Sequence, residues 1–254
     1  MAINLASISK TRRIRAPKIV IGGQGKIGKT TFAAMAGNSV GILTEQGTDA
    51  IDSQAFPLAT SFADVLSAIE VLTKEKHQFD TVFVDSLDWL EPLIQAHVCA
   101  ANKWESIESP GFGKGYVAAA EEWRKFLHAL DALRDKTEMA VILICHDKIK
   151  TFSSPLHDAY DIYTLKLHDR ASALCLEWAD IVGFAGYKVA TRSADAGFGQ
   201  KEKKATTTGD RILHVEPHPA HFGGNRFGLV NGPLDWAAFA DQLAAVQQPA
   251  AKAA

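Results

Sequence analysis

The fold of this chain is decided by one stretch, residues 18–31, which reads KIVIGGQGKIGKTT. Its apolar start predicts a buried β-strand, its glycines predict a loop free of Cβ hindrance, and its end predicts a helix. The pattern is Gly23, four further residues, and then Gly28, Lys29 and Thr30. Between a strand and a helix, it allows backbone N–H groups to surround phosphate oxygens at a helix N-terminus. The stretch therefore predicts a phosphate-binding loop.

Two side chains of this loop are expected to bind the phosphates and the metal ion. Lys29 is expected to act as a catalytic residue that reaches the β- and γ-phosphates, and the Thr30 hydroxyl is expected to bind Mg²⁺. ATP and Mg²⁺ are accordingly the predicted cofactors. The candidate cofactor-binding residues are Gly23, Gln24, Gly25, Lys26, Ile27, Gly28, Lys29, Thr30 and Thr31.

Apolar runs and helix-like runs alternate along the rest of the chain. Strands are predicted at 18–22, 40–44, 81–84, 139–145, 181–184 and 211–216. Helices are predicted at 28–36, 62–74, 87–101, 117–134 and 236–246. Continuous apolar strands separated by helices require a parallel sheet that is covered on both faces. The predicted fold class is α/β, a mainly parallel twisted sheet with helices on both faces.

The chain is expected to contain one domain. A basic segment is predicted at 1–16, a single P-loop domain at 17–246, and a disordered, low-complexity tail at 247–254. The polar stretch 191–208 is predicted to be a mobile loop or the tip of a hairpin.

The composition of the chain limits the functions that it can have. A hydrophobic fraction of 47% and a charged fraction of 22% are those of a soluble globular protein. No apolar run reaches the roughly 18–20 residues that a membrane span needs. The net charge of −2 gives no general attraction to nucleic acid, so any such contact must use a local basic patch. Three separated cysteines, Cys99, Cys145 and Cys175, predict free thiols in a reducing, cytoplasmic setting.

Polar residues follow three of the predicted strands, at the edge where parallel sheets bind ligands. Asp85 is predicted to be the second Mg²⁺ ligand, a role that is compatible with capping the next helix. Glu45 is predicted to activate water, the alternative being an ordinary loop carboxylate. His146 is predicted to sense the γ-phosphate, the alternative being a buried structural histidine.

Two types of P-loop protein can be excluded, and a third stays open. Guanine-specific proteins need Asn-Lys-x-Asp after a strand, whereas residues 102–105 read NKWE at a helix end. Partition-type ATPases carry a second lysine where this chain has Gln24. Small-molecule kinases use an arginine-rich lid, which the segment 148–170 resembles. A phosphotransferase acting on a small acceptor is therefore the main alternative function, beside a nucleotide-gated protein-binding module.

The order of these parts resembles the RecA-type recombinase core. It is most similar to phage-encoded RecA-like ATPases, AAA-type nucleotide-binding phage proteins that act in single-strand annealing. The resemblance rests on the P-loop, on Glu45, on VDSL at 84–87, and on His146 at a strand end. The close of that family, Asn-Arg-aromatic-Gly-Leu, is similar to GNRFGL at 224–229. The resemblance implies a DNA-stimulated ATPase of phage recombination, located in the cytoplasm of a bacterial host.

The resemblance also implies roles for individual residues. Glu45 matches the glutamate that activates water, and His146 stands where the family often carries a glutamine that links the γ-phosphate to DNA. The segments 103–116 and 147–169 match the first and second DNA-binding loops. Basic and aromatic residues suit single-stranded DNA because charges follow phosphates while rings stack on bases. The DNA-binding candidates are Lys114, Lys148, Lys150 and Phe152.

A homo-oligomer is implied as well, because members of this family complete their ATP site with a basic residue from the neighbouring subunit. The candidates for this trans-acting residue are Lys166, Arg170 and Arg226, of which Arg170 is preferred. A single-strand binding protein is implied as a further partner. No segment matches the extra domain of full recombinases, so annealing or strand loading is expected rather than complete strand exchange.

Overall fold

The computed structural model describes residues 4, 15–48, 50–195 and 201–247. Its strands are β1 (Lys18–Gly23), β2 (Ser39–Leu43), β3 (Gln54–Ala55), β4 (Thr81–Asp85), β5 (Ala140–Cys145), β6 (Asp147–Ser154), β7 (His157–Leu165), β8 (Ile181–Asp195), β9 (Lys201–His214), β10 (Gly224–Asn225) and β11 (Gly232–Pro233). Its helices are α1 (Lys29–Ala34), α2 (Phe62–Lys74), α3 (Leu87–Asn102), α4 (Lys114–Thr137), α5 (Asp169–Trp178) and α6 (Trp236–Gln247).

Most strands form one sheet in the order β11-β9-β8-β1-β5-β4-β2-β3, with β10 paired to β8. The strands from β8 to β3 in this order run parallel. At the other end, β9 and β10 pair antiparallel with β8, and β11 pairs antiparallel with β9. The mostly parallel α/β sheet expected from the sequence is thus confirmed. Because β5 lies between β1 and β4, the residues that follow these three strands emerge side by side.

Alternate residues of the central strands point to opposite faces of the sheet, and each face has its own apolar core. Val20 and Val141 belong to the core that contains the buried residues of α2, α3, α4 and α5. Ile21 and Ile142 belong to the second core, which contains the buried residues of α1 and α6. Strands that are covered on both faces explain why these runs are continuously apolar.

The β8–β9 hairpin is longer than the sequence indicates. A strand was expected at 181–184, but β8 continues to Asp195 and pairs with β9 from Lys201 onward. The stretch 191–208, expected to be a loop or hairpin tip, therefore contributes backbone to both strands, and residues 196–200 lie outside the described part. Main-chain hydrogen bonds can extend a polar hairpin without any core-facing pattern, so apolar periodicity does not reveal this extension.

The segment after β5 forms a second, two-stranded sheet from β6 and β7, followed by α5. Most of the segment 147–169 that was matched to a DNA-binding loop is therefore a hairpin, whose register shifts between Phe152 and Ser154. Helix α5 was not expected from the sequence, because it buries only small side chains, Ala171, Ser172 and Cys175. Such residues produce a weak apolar stripe.

Both ends of the chain contribute little to the described structure. The basic segment predicted at 1–16 and the tail predicted at 247–254 lie almost wholly outside the described residues, and the predicted domain bounds stay predictions. Near the start, Arg15 contacts Asp135, and Lys18 Nζ lies 3.1 Å from Asp131 Oδ1. Within the described part, every helix is too short or too polar to cross a bilayer.

One buried hydroxyl joins the end of β2 to the end of β4. Thr44 Oγ1 donates to the Ser86 carbonyl at 2.7 Å and accepts from the Ser86 N–H at 2.8 Å. The Thr44 N–H donates to the Asp85 carbonyl at 2.8 Å. Ser86 is fully buried, so no solvent is in place to substitute for these bonds. The hydroxyl therefore helps to fix where Glu45 and Asp85 leave the sheet.

Replacing Thr44 with valine keeps the side-chain shape but leaves two buried backbone groups without this partner. We expect the free energy of unfolding, measured in urea, to fall by about 1–3 kcal/mol. Thr73→Val is the matched control, because the Thr73 hydroxyl donates only to the Ile69 carbonyl within α2. It should change the free energy of unfolding by less than about 0.5 kcal/mol. Equal effects of the two substitutions would contradict the role given to Thr44.

Candidate nucleotide-binding site

Residues that follow β1, β2, β4 and β5 surround one cavity of about 350 Å³ at the carboxyl edge of the sheet. Lys29 and Thr30 come from α1, Glu45 follows β2, Asp85 ends β4, and His146 follows β5. The structure thus places at one cavity all the residues that were predicted to be catalytic or metal-binding. Eight further residues complete the wall: Gly25, Lys26, Gly28 and Thr31 from the loop and α1, and Gln46, Gly47, Thr48 and Ile51 after β2.

The Lys29 ammonium is held inside the glycine-rich loop. Its Nζ donates to the carbonyl oxygens of Gly23 at 2.7 Å and Gln24 at 2.8 Å, and the residue is 5% exposed. Burial lowers the pKa of Lys29, while the nearby Asp85 carboxylate acts in the opposite direction. A buried ammonium is stable only when it is paired and hydrogen-bonded. The charge of Lys29 therefore favours an anion in this cavity.

Gly28 connects the loop to α1 and requires the freedom of glycine. Its φ is 111°, a conformation that L side chains rarely adopt, and a methyl group there would lie 2.5 Å from Nη1 of Arg211. This guanidinium belongs to β9 and donates to the Ile27 carbonyl at 3.1 Å. The antiparallel edge of the sheet thus supports the phosphate loop from outside.

Thr30 and Asp85 together offer the oxygen atoms that Mg²⁺ prefers. Thr30 Oγ1 donates to Asp85 Oδ2 at 2.6 Å. Burial raises the pKa of Asp85, whereas the Thr30 hydroxyl and the Lys29 ammonium oppose that rise. Mg²⁺ keeps several waters and takes one or two carboxylates plus phosphate oxygens, which this pair fits. When bound, the ion would neutralise phosphate charge. Among the described residues, no group of three or more histidine, cysteine or acidic side chains forms another metal site.

Glu45 is half-buried in the cavity wall. Burial is the largest influence and raises the pKa of its carboxyl; Asp85 adds to the rise, while a hydrogen bond with Ser86 and the charge of His146 oppose it. A carboxylate with a raised pKa is a stronger base and is better matched to take a proton from water near neutral pH. Its place and its electrostatics therefore suit the activation of water.

His146 is paired with a carboxylate that was not expected from the sequence. Its Nδ1 lies 3.0 Å from both carboxylate oxygens of Asp88, and its backbone N–H donates to Asp88 Oδ1 at 3.1 Å. The hydrogen bond with Asp88 raises the pKa of His146, and burial opposes this rise. The other ring nitrogen, Nε2, faces the loop, since a methyl group on Gly25 would lie 3.6 Å from it. The ring is thus half-buried at the cavity rather than enclosed in the core.

The candidate DNA-binding residues lie outside this cavity. Lys148, Lys150 and Phe152 occupy alternate positions of β6 and therefore share one face of the hairpin. Lys148 donates to a backbone carbonyl at 2.6 Å, and Lys150 lies 2.6 Å from Asp169. Phe152 is 42% exposed. Lys114 is also exposed, but it lies on a different element, at the start of α4.

The three trans-acting candidates have different surroundings. Lys166 follows β7, and its Nζ lies 3.6 Å from Asp88 Oδ2, beside the cavity of its own chain. Arg170 is exposed in the first turn of α5. Arg226 lies 2.9 Å from Asp180, which directly precedes β8. It is therefore near the amino ends of the parallel strands, whereas the cavity lies at their carboxyl ends. Any contact of Arg226 with an ATP site would therefore involve a neighbouring copy.

Sequence reasoning missed two residues of the site, Asp88 and Arg211. Asp88 had a signal, because it lies three positions after Asp85, but an acidic residue in the first turn of a helix is ordinarily attributed to the helix dipole. Arg211 had none, since it contacts a residue 184 positions away in the chain.

A parallel α/β sheet with a phosphate loop after one strand and a carboxylate at the end of a nearby strand defines a P-loop nucleotide-binding protein. A family model described as an AAA domain matches residues 15–227. The chain therefore belongs to the AAA domain family, the AAA-type P-loop ATPases. Membership implies ATP binding and ATPase activity, usually with Mg²⁺. A comparison with curated proteins found no match. The finer likeness to phage annealing proteins stays a prediction.

Replacing Gly28 with alanine should weaken ATP binding. The left-handed backbone costs an L side chain about 1–2 kcal/mol, and the methyl group would also displace Arg211. We expect the affinity for a fluorescent ATP analogue to fall about tenfold or more, which corresponds to about 1.4 kcal/mol. Gly47→Ala is the control, because Gly47 lines the same cavity and a methyl group there meets nothing within 4 Å. Unchanged affinity in Gly28→Ala would mean that ATP does not bind at this loop.

Proposed function

We propose that this AAA-domain chain is a Mg²⁺-dependent, RecA-like ATPase that oligomerises on single-stranded DNA and promotes annealing or recombination, as in phage. The observation that carries the proposal is the direct connection between cavity and hairpin. His146 lines the cavity, and the next residue begins β6, one face of which carries basic and aromatic side chains. In this proposal His146 contacts the γ-phosphate, and no loop separates it from β6, the strand that binds DNA.

ATP hydrolysis follows from the charges at the cavity. Lys29 would bind the β- and γ-phosphates, and Thr30 and Asp85 would hold the Mg²⁺ ion. Glu45 takes a proton from the attacking water, for which its raised pKa suits it. His146 donates a hydrogen bond to a phosphate oxygen through Nε2. Each of these residues leaves the same edge of the sheet, so one nucleotide can contact all of them.

The β6–β7 hairpin is the proposed DNA contact. Phe152 packs edge-on against Tyr160, with ring centroids 5.7 Å apart, and both belong to the same face as Lys150. Exposed rings stack on bases while lysines follow phosphates. The pair of Lys150 with Asp169 is solvent-exposed, and such pairs are weak, so a phosphate can replace the carboxylate. Lys114, which is exposed at the start of α4, is a further proposed DNA contact.

A neighbouring copy of the chain completes the ATP site in this proposal. Arg170 remains the preferred trans-acting residue, because it is exposed and its side chain has no ion pair among the salt bridges of the described residues. Lys166 contacts Asp88 in its own chain, and Arg226 contacts Asp180. A single-strand binding protein is proposed as a further partner, and the cytoplasm of a bacterial host as the location.

Glu45→Gln should bind ATP with nearly normal affinity but hydrolyse it at least about 100-fold more slowly, because the amide cannot accept the proton. Phosphate release and analogue binding measure the two properties separately. Lys29→Ala should instead lose binding, because the phosphates lose their main cationic partner. Normal turnover by Glu45→Gln would remove Glu45 from the mechanism, and normal binding by Lys29→Ala would move the nucleotide elsewhere.

Single-stranded DNA should stimulate turnover, and the hairpin variants should weaken DNA binding in two distinct ways. Lys150→Ala should reduce the salt slope of binding by about 0.7, the value for one lost phosphate contact. Phe152→Ala should cost about 1–3 kcal/mol in affinity and leave the slope unchanged, since stacking involves no charge. Fluorescence anisotropy of a labelled oligonucleotide at several salt concentrations measures both.

Lys125→Ala is the control for these variants, because Lys125 is an exposed lysine that pairs with Glu122 on α4, outside the hairpin. Its salt slope should equal that of the wild type. Equal slopes for Lys150→Ala and Lys125→Ala would place the DNA elsewhere. Turnover that responds to a small phosphate acceptor and not to DNA would instead favour the phosphotransferase.

A further inference from the structure

Asp88 is a carboxylate in the first turn of α3 whose side chain is only 3% exposed, and three groups converge on it. It accepts from the His146 backbone N–H at 3.1 Å, its oxygens lie 3.0 Å from Nδ1 of that ring, and Lys166 Nζ lies 3.6 Å away. Burying a carboxylate without partners costs free energy. These contacts offset that cost and so keep Asp88 ionised. They also hold its partners in place.

The two partners of Asp88 are the residues at the two ends of the β6–β7 hairpin. His146 immediately precedes β6, and Lys166 immediately follows β7. The Lys166 N–H donates to the His146 carbonyl at 2.8 Å, which closes the base of the hairpin. Asp88 is therefore a common anchor, and a shift of either partner relative to it changes the position of both ends of the hairpin.

The protonation state of His146 decides how it treats a phosphate. With Nδ1 committed to Asp88, Nε2 is the nitrogen that faces the loop at Gly25. A neutral ring that donates through Nδ1 presents a lone pair at Nε2, whereas an imidazolium presents an N–H there. Only the imidazolium can donate to a phosphate oxygen. Asp88 raises the pKa of His146 and so favours this form.

We infer that Asp88 is a positioning residue that holds His146 as an imidazolium with Nε2–H turned toward the phosphate loop, and that links this ring to both ends of the β6–β7 hairpin. Asp88 itself does not touch the nucleotide. The inference rests on the proposed function in that ATP occupies the cavity and the hairpin binds single-stranded DNA. It adds the route by which the γ-phosphate affects the hairpin.

Charged groups surround His146 from every neighbouring element, and the hydrogen bond with Asp88 is the largest influence on its pKa. Carboxylates favour the imidazolium and ammonium groups oppose it. The groups are Lys29 of α1, Glu45 after β2, Asp85 of β4, Asp88 of α3, Asp147 of β6 and Lys166 after β7.

The test measures kcat/KM for ATP between pH 5.5 and 9 without DNA. The wild type should lose activity on the alkaline side, as pH rises through the raised pKa of His146. Asp88→Asn should move the midpoint of this loss to lower pH by about one unit, because the imidazolium loses its carboxylate partner. In a His146→Gln background the alkaline step should be absent, and Asp88→Asn should then move nothing. A lower kcat at every pH with an unmoved midpoint would indicate a merely structural role and overturn the inference.

Glu91→Gln is the matched control, one turn further along α3. The Glu91 carboxylate accepts from the His168 N–H at 3.0 Å and does not contact His146, so the midpoint should equal that of the wild type. A shift equal to that of Asp88→Asn would overturn the inference. If Asp88→Asn does not fold, the His146 imidazole can be titrated by NMR in the wild type and assigned with His146→Gln. A pKa at or below the ordinary 6.5 would then overturn it.

Stimulation by an oligothymidylate, measured in parallel, separates this inference from the proposed function. Asp88→Asn should show a smaller ratio of stimulated to basal kcat than the wild type. A wild type that hydrolyses ATP but ignores DNA would contradict the proposed DNA function and the link to the hairpin, while the pH midpoints would still test the His146 pairing. If DNA stimulates the wild type, but the wild type and Asp88→Asn have equal pH midpoints, the inference about Asp88 alone is contradicted.

Discussion

Burial of the central parallel strands on both faces is the constraint on which the site depends. Two apolar cores cover β1, β5 and β4, so these strands can meet solvent only at their ends. Parallel pairing in register then brings their carboxyl ends to one edge, with Gly22 opposite Cys145 and Asp85 opposite Ile144. Because β5 lies between β1 and β4, His146, which follows β5, must lie between the phosphate loop and Asp85. The chemistry of the cavity is thus positioned by the core.

The carboxyl edge of the sheet brings together three charged side chains that burial alone would disfavour. Burial lowers the pKa of Lys29 and raises the pKa values of Asp85 and Glu45, so each group is pushed toward its neutral form. Their mutual attraction opposes this, and the loop carbonyls add partners for the ammonium. A bound magnesium nucleotide would bring both signs of charge at once: its phosphate oxygens would take the place of the loop carbonyls at Lys29, and the ion would compensate the charge of Asp85. The charges of the cavity would therefore suit the magnesium complex better than either component alone.

The parts that the sequence made predictable are those whose signals are local. The phosphate loop around Lys29 is contiguous, and Asp85 directly follows an apolar run whose end is visible in the sequence. Arg211 was not predictable, because its contact with the loop depends on the antiparallel edge of the folded sheet. Asp88 was hidden by an ordinary explanation, the acidic first turn of a helix. The length of β8 was missed because main-chain pairing leaves no apolar period in a polar stretch.

The β6–β7 hairpin forms its own two-stranded sheet, so its position depends on its contacts with other elements. A two-stranded ribbon alone is marginally stable in water, so its stability depends on its anchors. One anchor is Tyr163, whose N–H donates to the Ala220 carbonyl at 2.8 Å and whose ring stacks on Phe184. The other is the base, where His146 and Lys166 meet Asp88. The first anchor attaches the hairpin to β8, and the second attaches its base to residues beside the nucleotide cavity. A displacement at the cavity would therefore act on the base of the hairpin, while the contacts of Tyr163 hold it farther along.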